Sequence, residues 1–175
     1  MKNLMIVAHP DDEVIFGFSH LLKDNWHVVC MTNGNNCVRS KEFYRVMSYF
    51  GYSYDIFDYL DRWDVAFDED LVSKDLVDII TGSKFDMVLT HNENGEYGHL
   101  QHRSLHHIVS NLVSDLCVFD KGTLLSFDVL KNKIDVLSMY ESQCKLKAFD
   151  WYSQSNSNNL MEWIIGDGIR EWNIS

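Results

Sequence analysis

The chain has 175 residues, which is enough for one domain with its own hydrophobic core, and we expect a single domain over residues 1–175. Its 26 acidic residues outnumber its 15 basic ones, for a net charge of −11, which argues against a nucleic-acid partner because no surplus of Lys and Arg can neutralise phosphates. No apolar run approaches the roughly 20 residues that span a bilayer, and no signal peptide is recognisable, so we expect a soluble, cytoplasmic protein without a transmembrane segment.

Short β-rich runs alternate with helical periodicity along the first half of the chain. In chain order, the pattern predicts a strand at 4–8, a helix at 13–23, a strand at 28–32, a helix at 39–50, a strand at 54–57, a helix at 70–80 and a strand at 87–90. Successive βα units favour a parallel sheet with right-handed crossovers. The predicted fold class is therefore α/β, with three α/β/α layers around a mostly parallel, Rossmann-like sheet.

The second half of the chain is less regular. We expect a strand at 123–127 and a helix from about 130 to 144. The polar C-terminal stretch 145–175 receives no predicted element. Because functional groups gather beyond the carboxyl ends of parallel strands, we expect the chemistry just after residues 8, 32 and 90.

A cluster of ionisable residues, HPDDE at 9–13, follows the first strand directly. Three neighbouring carboxylates would raise one another's pKa, and a bound divalent cation removes that conflict. His and Asp are ligands that zinc accepts. The alternative is that Asp11 or Asp12 caps the following helix, but capping leaves His9 unexplained. We therefore favour a metal site at this turn.

A second cluster, HNENGEYGHLQH at 91–102, follows the fourth strand. If His99 opens a helix, His99 and His102 share one face, a spacing that suits one metal ligand and one further catalytic imidazole. His-rich helix starts also occur on solvated surfaces, so this cluster alone leaves both interpretations open. Together with His9 and Asp12, His102 completes a set of two nitrogens and one oxygen. Three protein ligands with an open fourth position are typical of a catalytic zinc, although Fe²⁺ accepts a similar set.

These two clusters resemble the motifs of the LmbE-like N-deacetylases, the PIG-L family that includes N-acetylglucosaminyl-phosphatidylinositol de-N-acetylase. The specific part of the resemblance is AHPDDE at 8–13 combined with GEYGHLQH at 95–102. Two weaker matches are RSKE at 39–42, which fits the family's R-x-x-E, and YESQ at 140–143, which is similar to its late Y/H-x-S-Q segment.

The resemblance implies a zinc centre and a general base. His9, Asp12 and His102 would be the metal ligands. Asp11 would take a proton from the metal-bound water. Adjacent carboxylates cannot both point at one metal in the same way, which is consistent with one of them being free for proton transfer.

The resemblance also implies roles around the substrate. His99 would stabilise the oxyanion or protonate the leaving amine, Tyr97 would help to polarise the carbonyl, and Arg39 would contact the substrate. The chain departs from the family at Leu100-Gln101, where Pro-Asp commonly stands between the two histidines. The missing acid removes an expected partner of a histidine ring.

The implied function is a zinc-dependent hydrolase that removes an N-acyl group, with acetyl expected, from a small-molecule amino sugar or glycoconjugate. Alternatives are an amidase acting on another N-acyl conjugate and an inactive relative that serves as a binding module. A receiver-type signalling domain would also place an acidic pair after its first strand, but it has no use for the HxxH spacing. The segment 61–64 follows the third strand and is a candidate wall of the substrate pocket. The sequence does not specify the oligomeric state.

Overall fold

The computed structural model describes residues 2–143 and 162–172, and these form a six-stranded sheet covered by helices on both faces. The strands are β1 (Asn3–Val7), β2 (Trp26–Thr32), β3 (Ser53–Tyr59), β4 (Val88–Thr90), β5 (Leu116–Leu124) and β6 (Gly166–Trp172). The first five run parallel in the order β3-β2-β1-β4-β5, and β6 pairs antiparallel with β5 at the edge. This mostly parallel sheet confirms the predicted fold class.

The helices divide between the two faces of the sheet. They are α1 (Asp12–Leu21), α2 (Arg39–Phe50), α3 (Glu69–Gly82), α4 (Gly95–Gly98), α5 (Leu100–Leu112), α6 (Phe127–Leu137) and α7 (Glu141–Gln143). Apolar residues of α1, α2 and α6 form one core with the sheet, and those of α3 and α5 form the other. Among the described residues, no helix has the length and apolar character needed to cross a membrane.

The strand order places the two polar clusters next to each other. β1 is buried along its whole length and pairs with β2 on one side and β4 on the other. From β1 the chain proceeds to β2 and β3 in one direction and later to β4 and β5 in the other. The space beyond the carboxyl ends of β1 and β4 is therefore the topological switch point, where open α/β sheets hold their ligands.

The structure corrects two predictions for the second half of the chain. The predicted strand at 123–127 is wrong, because β5 begins seven residues earlier, where Leu116, Val118 and Phe119 are buried, and its last residue is Leu124. The predicted helix also starts too late. Ser126 caps α6 by accepting from the Val129 backbone, and the chain turns at Ser138, so a single helix does not continue to 143. Residue 144 lies outside the described residues.

Candidate metal centre

The turn that leaves β1 brings His9 and Asp12 together. The His9 backbone N–H donates to Oδ2 of Asp12 at 2.7 Å, so the carboxylate that opens α1 folds back toward the strand end. Asp11, between them, has a φ of 112°, which non-glycine residues rarely adopt. Such strained backbone costs of the order of 1–3 kcal/mol and is characteristic of functional sites.

Three potential ligand atoms from the two predicted clusters face one another. Nδ1 of His9 lies 3.2 Å from Oδ2 of Asp12 and 3.2 Å from Nε2 of His102. Nε2 of His102 lies 3.4 Å from the same Asp12 oxygen. Atoms about 2.0–2.1 Å from a tetrahedral zinc stand about 3.3–3.4 Å from one another. The structure thus brings together the three side chains that the sequence predicts as ligands, at the spacing of three corners of a zinc tetrahedron.

The outer nitrogen of each ring has an acceptor as its neighbour. Nδ1 of His102 donates to Oε2 of Glu96 at 2.7 Å. Nε2 of His9 lies 2.9 Å from Oε1 of Gln101 and 3.5 Å from Oδ1 of Asp61. Each ring therefore carries its hydrogen on the outer nitrogen and turns a lone pair toward the centre.

The inward-facing atoms fit a divalent cation. Two imidazole lone pairs and a carboxylate oxygen meet without a hydrogen between them, an arrangement that is repulsive unless a cation lies among them. The Asp12 carboxylate accepts the His9 backbone N–H, which favours its ionised form, and a carboxylate ligand must be ionised. The donor set matches zinc and also accepts Fe²⁺.

Other imidazoles surround this set. Two overlapping triplets have potential ligand atoms within 4.8 Å of one another, namely His9, His99 and His102, and Asp12, His91 and His102. Nε2 of His91 already accepts the Ala8 backbone N–H at 3.1 Å, so its lone pair is in use. Nδ1 of His91 donates to the Oε2 atom of Glu96 that His102 also contacts, at 2.8 Å. His91 therefore contacts His102 through Glu96, while its Nε2 atom, which lies 3.4 Å from Oδ2 of Asp12, is engaged by the Ala8 backbone.

Glu96 also contacts the predicted ligand His102, although no sequence pattern indicates a role for it. Its side chain is fully buried, and although burial raises a carboxyl pKa, His91 and His102 bring that of Glu96 down to about 2. Its backbone has a φ of 57°, again in the left-handed region. The Glu96 carboxylate reaches the two rings because of this strained turn and not because of a regular helix. Its spacing from His99 in the sequence therefore does not predict the contact.

The predicted base lies beside the three inward-facing atoms. Burial raises the pKa of Asp11 to about 7, although Arg39 opposes the rise. The Arg39 guanidinium lies 3.7 Å from Asp11 and 3.6 Å from Asp61, and it also donates to the Pro10 carbonyl. A carboxyl with a pKa near neutrality suits a general base. Arg39 contacts the turn itself, and its predicted contact with substrate stays a prediction.

The remaining predicted residues, Tyr97 and His99, lie beside the His102 ring. The Tyr97 ring lies 5.6 Å from that of His102 and 6.1 Å from that of His99, measured between centroids. Nδ1 of His99 accepts the Gln101 backbone N–H, and burial, with the neighbouring histidines, lowers the pKa of His99 to about 3. His99 is therefore a neutral ring whose remaining nitrogen, Nε2, carries the hydrogen.

The segment after β3 also reaches the centre. Trp63 stacks on Tyr97 at 5.9 Å and meets the His99 ring edge-on at 4.4 Å, while 53% of it remains exposed. Arg62 and Asp64 instead pair with each other through their exposed side chains. The structure thus brings Asp61 and Trp63 of the predicted wall to the site and leaves the other two facing outward.

The two weaker motifs contact each other and the first turn. The Ser142 backbone N–H and hydroxyl both donate to the Glu42 carboxylate, at 2.7 and 2.6 Å. The Tyr140 hydroxyl donates to Glu13, whose pKa burial raises to about 8. These contacts tie α2 and the 140–143 segment to the turn that carries His9.

Comparison with known proteins identifies the family. A family model described as GlcNAc-PI de-N-acetylase (PIG-L) matches residues 4–113. An uncharacterised protein of Acanthamoeba polyphaga mimivirus is 32% identical over 168 residues, which cover 82% of this chain and 72% of that protein.

Two solved structures share the fold at low identity. The N,N′-diacetylchitobiose deacetylase of Pyrococcus horikoshii superposes with a TM-score of 0.71 at 19% identity, over 97% of this chain and 83% of that one. GalB, the 4-carboxy-2-hydroxymuconate hydratase of Pseudomonas putida, superposes with a TM-score of 0.65 at 16% identity, over 99% of this chain and 97% of that one. The fold therefore carries more than one reaction, and the family assignment rests on the sequence match. By that match, the chain belongs to the PIG-L family of LmbE-like deacetylases.

Proposed function

We propose that this protein is a zinc-dependent N-deacetylase that hydrolyses the acetamido group of an amino sugar or of a conjugate that carries one. Family membership and the shared fold of a diacetylchitobiose deacetylase support an N-deacetylase. One observation carries the proposal: the inward nitrogens of His9 and His102 and an Asp12 oxygen lie 3.2–3.4 Å apart, while the outer nitrogen of each ring faces an acceptor.

His9, Asp12 and His102 would hold the metal. Zinc in such a site supplies a Lewis acid and lowers the pKa of a coordinated water to about 7. The protein contributes the geometry, because Glu96 orients His102 and the tight turn after β1 fixes Asp12. A site this buried also keeps bulk water out, which strengthens every electrostatic interaction with the substrate.

Asp11 would be the general base. It removes a proton from the attacking water as the oxygen bonds to the amide carbon, and a pKa of about 7 suits both the acceptance and the later release of that proton. When the C–N bond breaks, the same proton is available to the leaving amine. The products are acetate and the free amino sugar, so the reaction needs no further reactant.

His99 and Tyr97 would stabilise the oxyanion by donating hydrogen bonds to it. The sequence interpretation left two roles open for His99, namely stabilising the oxyanion and protonating the amine. A ring with a pKa of about 3 and its hydrogen on Nε2 is a neutral hydrogen-bond donor, which favours the oxyanion role. The Tyr97 hydroxyl would be the second donor.

Trp63 would contact the sugar. Its half-exposed ring lies beside Tyr97 and His99, and the apolar face of a pyranose ring packs well on an indole. Arg39, held against Asp11 and Asp61, would keep the base in place and complete the polar side of the pocket.

The test is acetate release from a panel of N-acetylglucosamine, N,N′-diacetylchitobiose, a nucleotide N-acetyl sugar and N-acetylglucosaminyl-phosphatidylinositol. We expect at least one compound to be hydrolysed by zinc-loaded protein and none after chelation. Asp11→Asn should lower kcat by about 10²- to 10⁴-fold while the protein still binds one equivalent of metal. Asp78→Asn, on the exposed surface of α3, is the matched control.

Three outcomes would contradict the proposal. Full activity of Asp11→Asn would show that another group is the base. Hydrolysis of non-sugar N-acyl compounds alone would favour an amidase of different specificity. Metal-loaded protein that binds an N-acetyl sugar but releases no acetate would favour a binding module.

A further inference from the structure

The Gln101 side chain is buried between a predicted metal ligand and the segment after β3. Its Oε1 lies 2.9 Å from Nε2 of His9 and accepts the Arg62 backbone N–H at 3.2 Å. Its Nε2 donates to the Leu60 carbonyl at 2.6 Å. Only 1% of the residue is exposed, so these contacts are not shared with solvent. The amide therefore connects His9 with both sides of the segment that carries Asp61.

The backbone contacts determine which way the amide points. A carbonyl can only accept a hydrogen bond and a backbone N–H can only donate one. The NH₂ group must therefore face Leu60, and the oxygen must face Arg62 and His9. An amide oxygen only accepts, so the hydrogen of this contact belongs to Nε2 of His9. The carboxylate of Asp61, 3.5 Å from the same nitrogen, is a second acceptor and requires the same assignment.

We infer that Gln101 is a positioning residue that holds the His9 ring with Nε2–H outward and Nδ1 toward the metal centre. The expected effect of Gln101 on metal binding rests on the proposed function, because only a site that binds metal needs the Nδ1 atom of His9 to face inward. The contact itself belongs to the folded protein whether or not metal is bound.

That Gln101 carries an amide and not an acid has a chemical meaning. A carboxylate that accepts from a ligating histidine makes the ring more basic, whereas a neutral amide orients the ring without adding charge. The amide also donates to Leu60, which a carboxylate cannot do. This chain therefore combines two tasks in one side chain: it orients His9 and anchors the segment at 60–62.

Two substitutions separate these tasks. Gln101→Leu removes both the acceptor for His9 and the donor to Leu60. Gln101→Glu keeps the acceptor at the same reach but loses the donor. Asn111→Leu is the matched control, since Asn111 is an exposed amide residue on the same helix. We expect Gln101→Leu to weaken zinc binding by about 10- to 100-fold, and Gln101→Glu to restore it to within about threefold of the wild-type protein.

The second measurement is the ¹⁵N spectrum of the histidine rings in metal-free protein. In the wild-type protein and in Gln101→Glu, the His9 Nε2–H should be protected from exchange and visible. In Gln101→Leu it should exchange at least tenfold faster. Because no metal is present, this result tests the Gln101 contact even if the proposed function fails.

The zinc affinities and ring spectra of the Gln101 variants show whether Gln101 positions His9 or only stabilises the fold. Zinc binding by Gln101→Glu that is as weak as that of Gln101→Leu would assign the effect to the Leu60 anchor and overturn the inference. Wild-type zinc affinity in Gln101→Leu would overturn it as well. A wild-type protein that binds no zinc but shows the protected Nε2–H would contradict the proposed function and leave the Gln101 contact established.

Discussion

Two buried clusters of charged side chains in the described part of the chain are built on opposite principles. The first is the metal centre, where His9, Asp12 and His102 turn acceptor atoms toward one another. The second is the ion pair of Lys133 and Asp167, between α6 and β6, in which both side chains are fully buried. Burial alone does not distinguish the two clusters, because the exposed fraction of each side chain is close to zero.

The positions of the hydrogens distinguish them. Lys133 donates to the Trp163 carbonyl at 2.8 Å and lies 3.5 Å from Oδ2 of Asp167, which also accepts the Ser19 backbone N–H. One oxygen of Asp167 has no hydrogen-bond partner among the described residues, yet every contact of the pair joins a donor to an acceptor. The pair thus neutralises its own charge, whereas the proposed metal centre would require a cation from outside. The Lys133–Asp167 pair fits a role in the fold, and the arrangement of His9, Asp12 and His102 fits a role in ligand binding.

The largest expected effect comes from breaking the metal centre itself. His102→Ala removes one of the three inward-facing atoms and the partner of Glu96. Deacetylation should fall by about 10³-fold or more, since metal chemistry supplies several kcal/mol of transition-state stabilisation. For the wild-type protein, zinc at 100 times its Kd should add about 2.7 kcal/mol to the free energy of unfolding. Differential scanning calorimetry with and without zinc measures the second effect, which the variant should lack.

The control is His107→Ala, because His107 lies on the same helix with an exposed side chain. It should keep both activity and the zinc-induced stabilisation. A zinc-induced rise in Tm of equal size in His102→Ala would mean that the metal binds elsewhere in the protein.

A smaller effect is expected at Glu96, which contacts the proposed ligand His102. Glu96 accepts from the His91 and His102 rings through Oε2 and from the Asn92 backbone N–H through Oε1, whereas the amide of Glu96→Gln is uncharged and keeps only one acceptor atom for these three donors. The affinity for zinc should fall by about 10- to 100-fold. Competition with a chromophoric chelator measures this change directly.

Glu93→Gln is the companion variant, because Glu93 lies in the same loop but pairs with Arg170 on β6. Its zinc affinity should match that of the wild-type protein. Equal losses in the two variants would attribute the effect to the loop and not to the carboxylate that orients His102.

The contrast between the clusters also explains what the sequence could predict. His9 and Asp12 follow a continuous apolar strand, and His102 follows another, so a parallel sheet must bring the two turns to one edge. That these two turns meet was therefore predictable from order along the chain. The prediction that these three residues meet is confirmed by the distances, while their role as zinc ligands remains a prediction.

The supporting contacts were not predictable, because they depend on backbone that no periodicity describes. Glu96 reaches His91 and His102 only because its own φ is positive, and the partners of Gln101 come from a loop some 40 residues earlier. β6 was missed for a related reason. It lies at an edge, so its sequence is not uniformly apolar, and its pairing with β5 spans a long separation in the chain.

The smallest expected effect tests the claim that the second cluster serves only the fold. Burial lowers the pKa of Lys133 from its ordinary value of 10.5 to about 8, although Asp167 opposes the fall. Between these two values the folded protein has released a proton that the unfolded chain still holds, so stability rises with pH. The contribution of Lys133 should be flat below pH 8 and should then rise by about 1 kcal/mol per pH unit.

Replacing the pair by Lys133→Met with Asp167→Asn should remove this rise and leave zinc affinity unchanged. Asn can still accept the Ser19 N–H, and a buried ion pair is often replaced by neutral residues without loss of stability. The measurement is urea unfolding of both proteins at about pH 7.0, 8.0 and 9.5, values that lie below, at and above the pKa of Lys133 in the folded protein. The exposed Lys131–Asp135 pair on the same helix provides the control, because its double replacement should leave the slope intact. A double variant at Lys133 and Asp167 that lost zinc binding would show that the two clusters are coupled, and the distinction between a cluster built for the fold and one built for a ligand would fail.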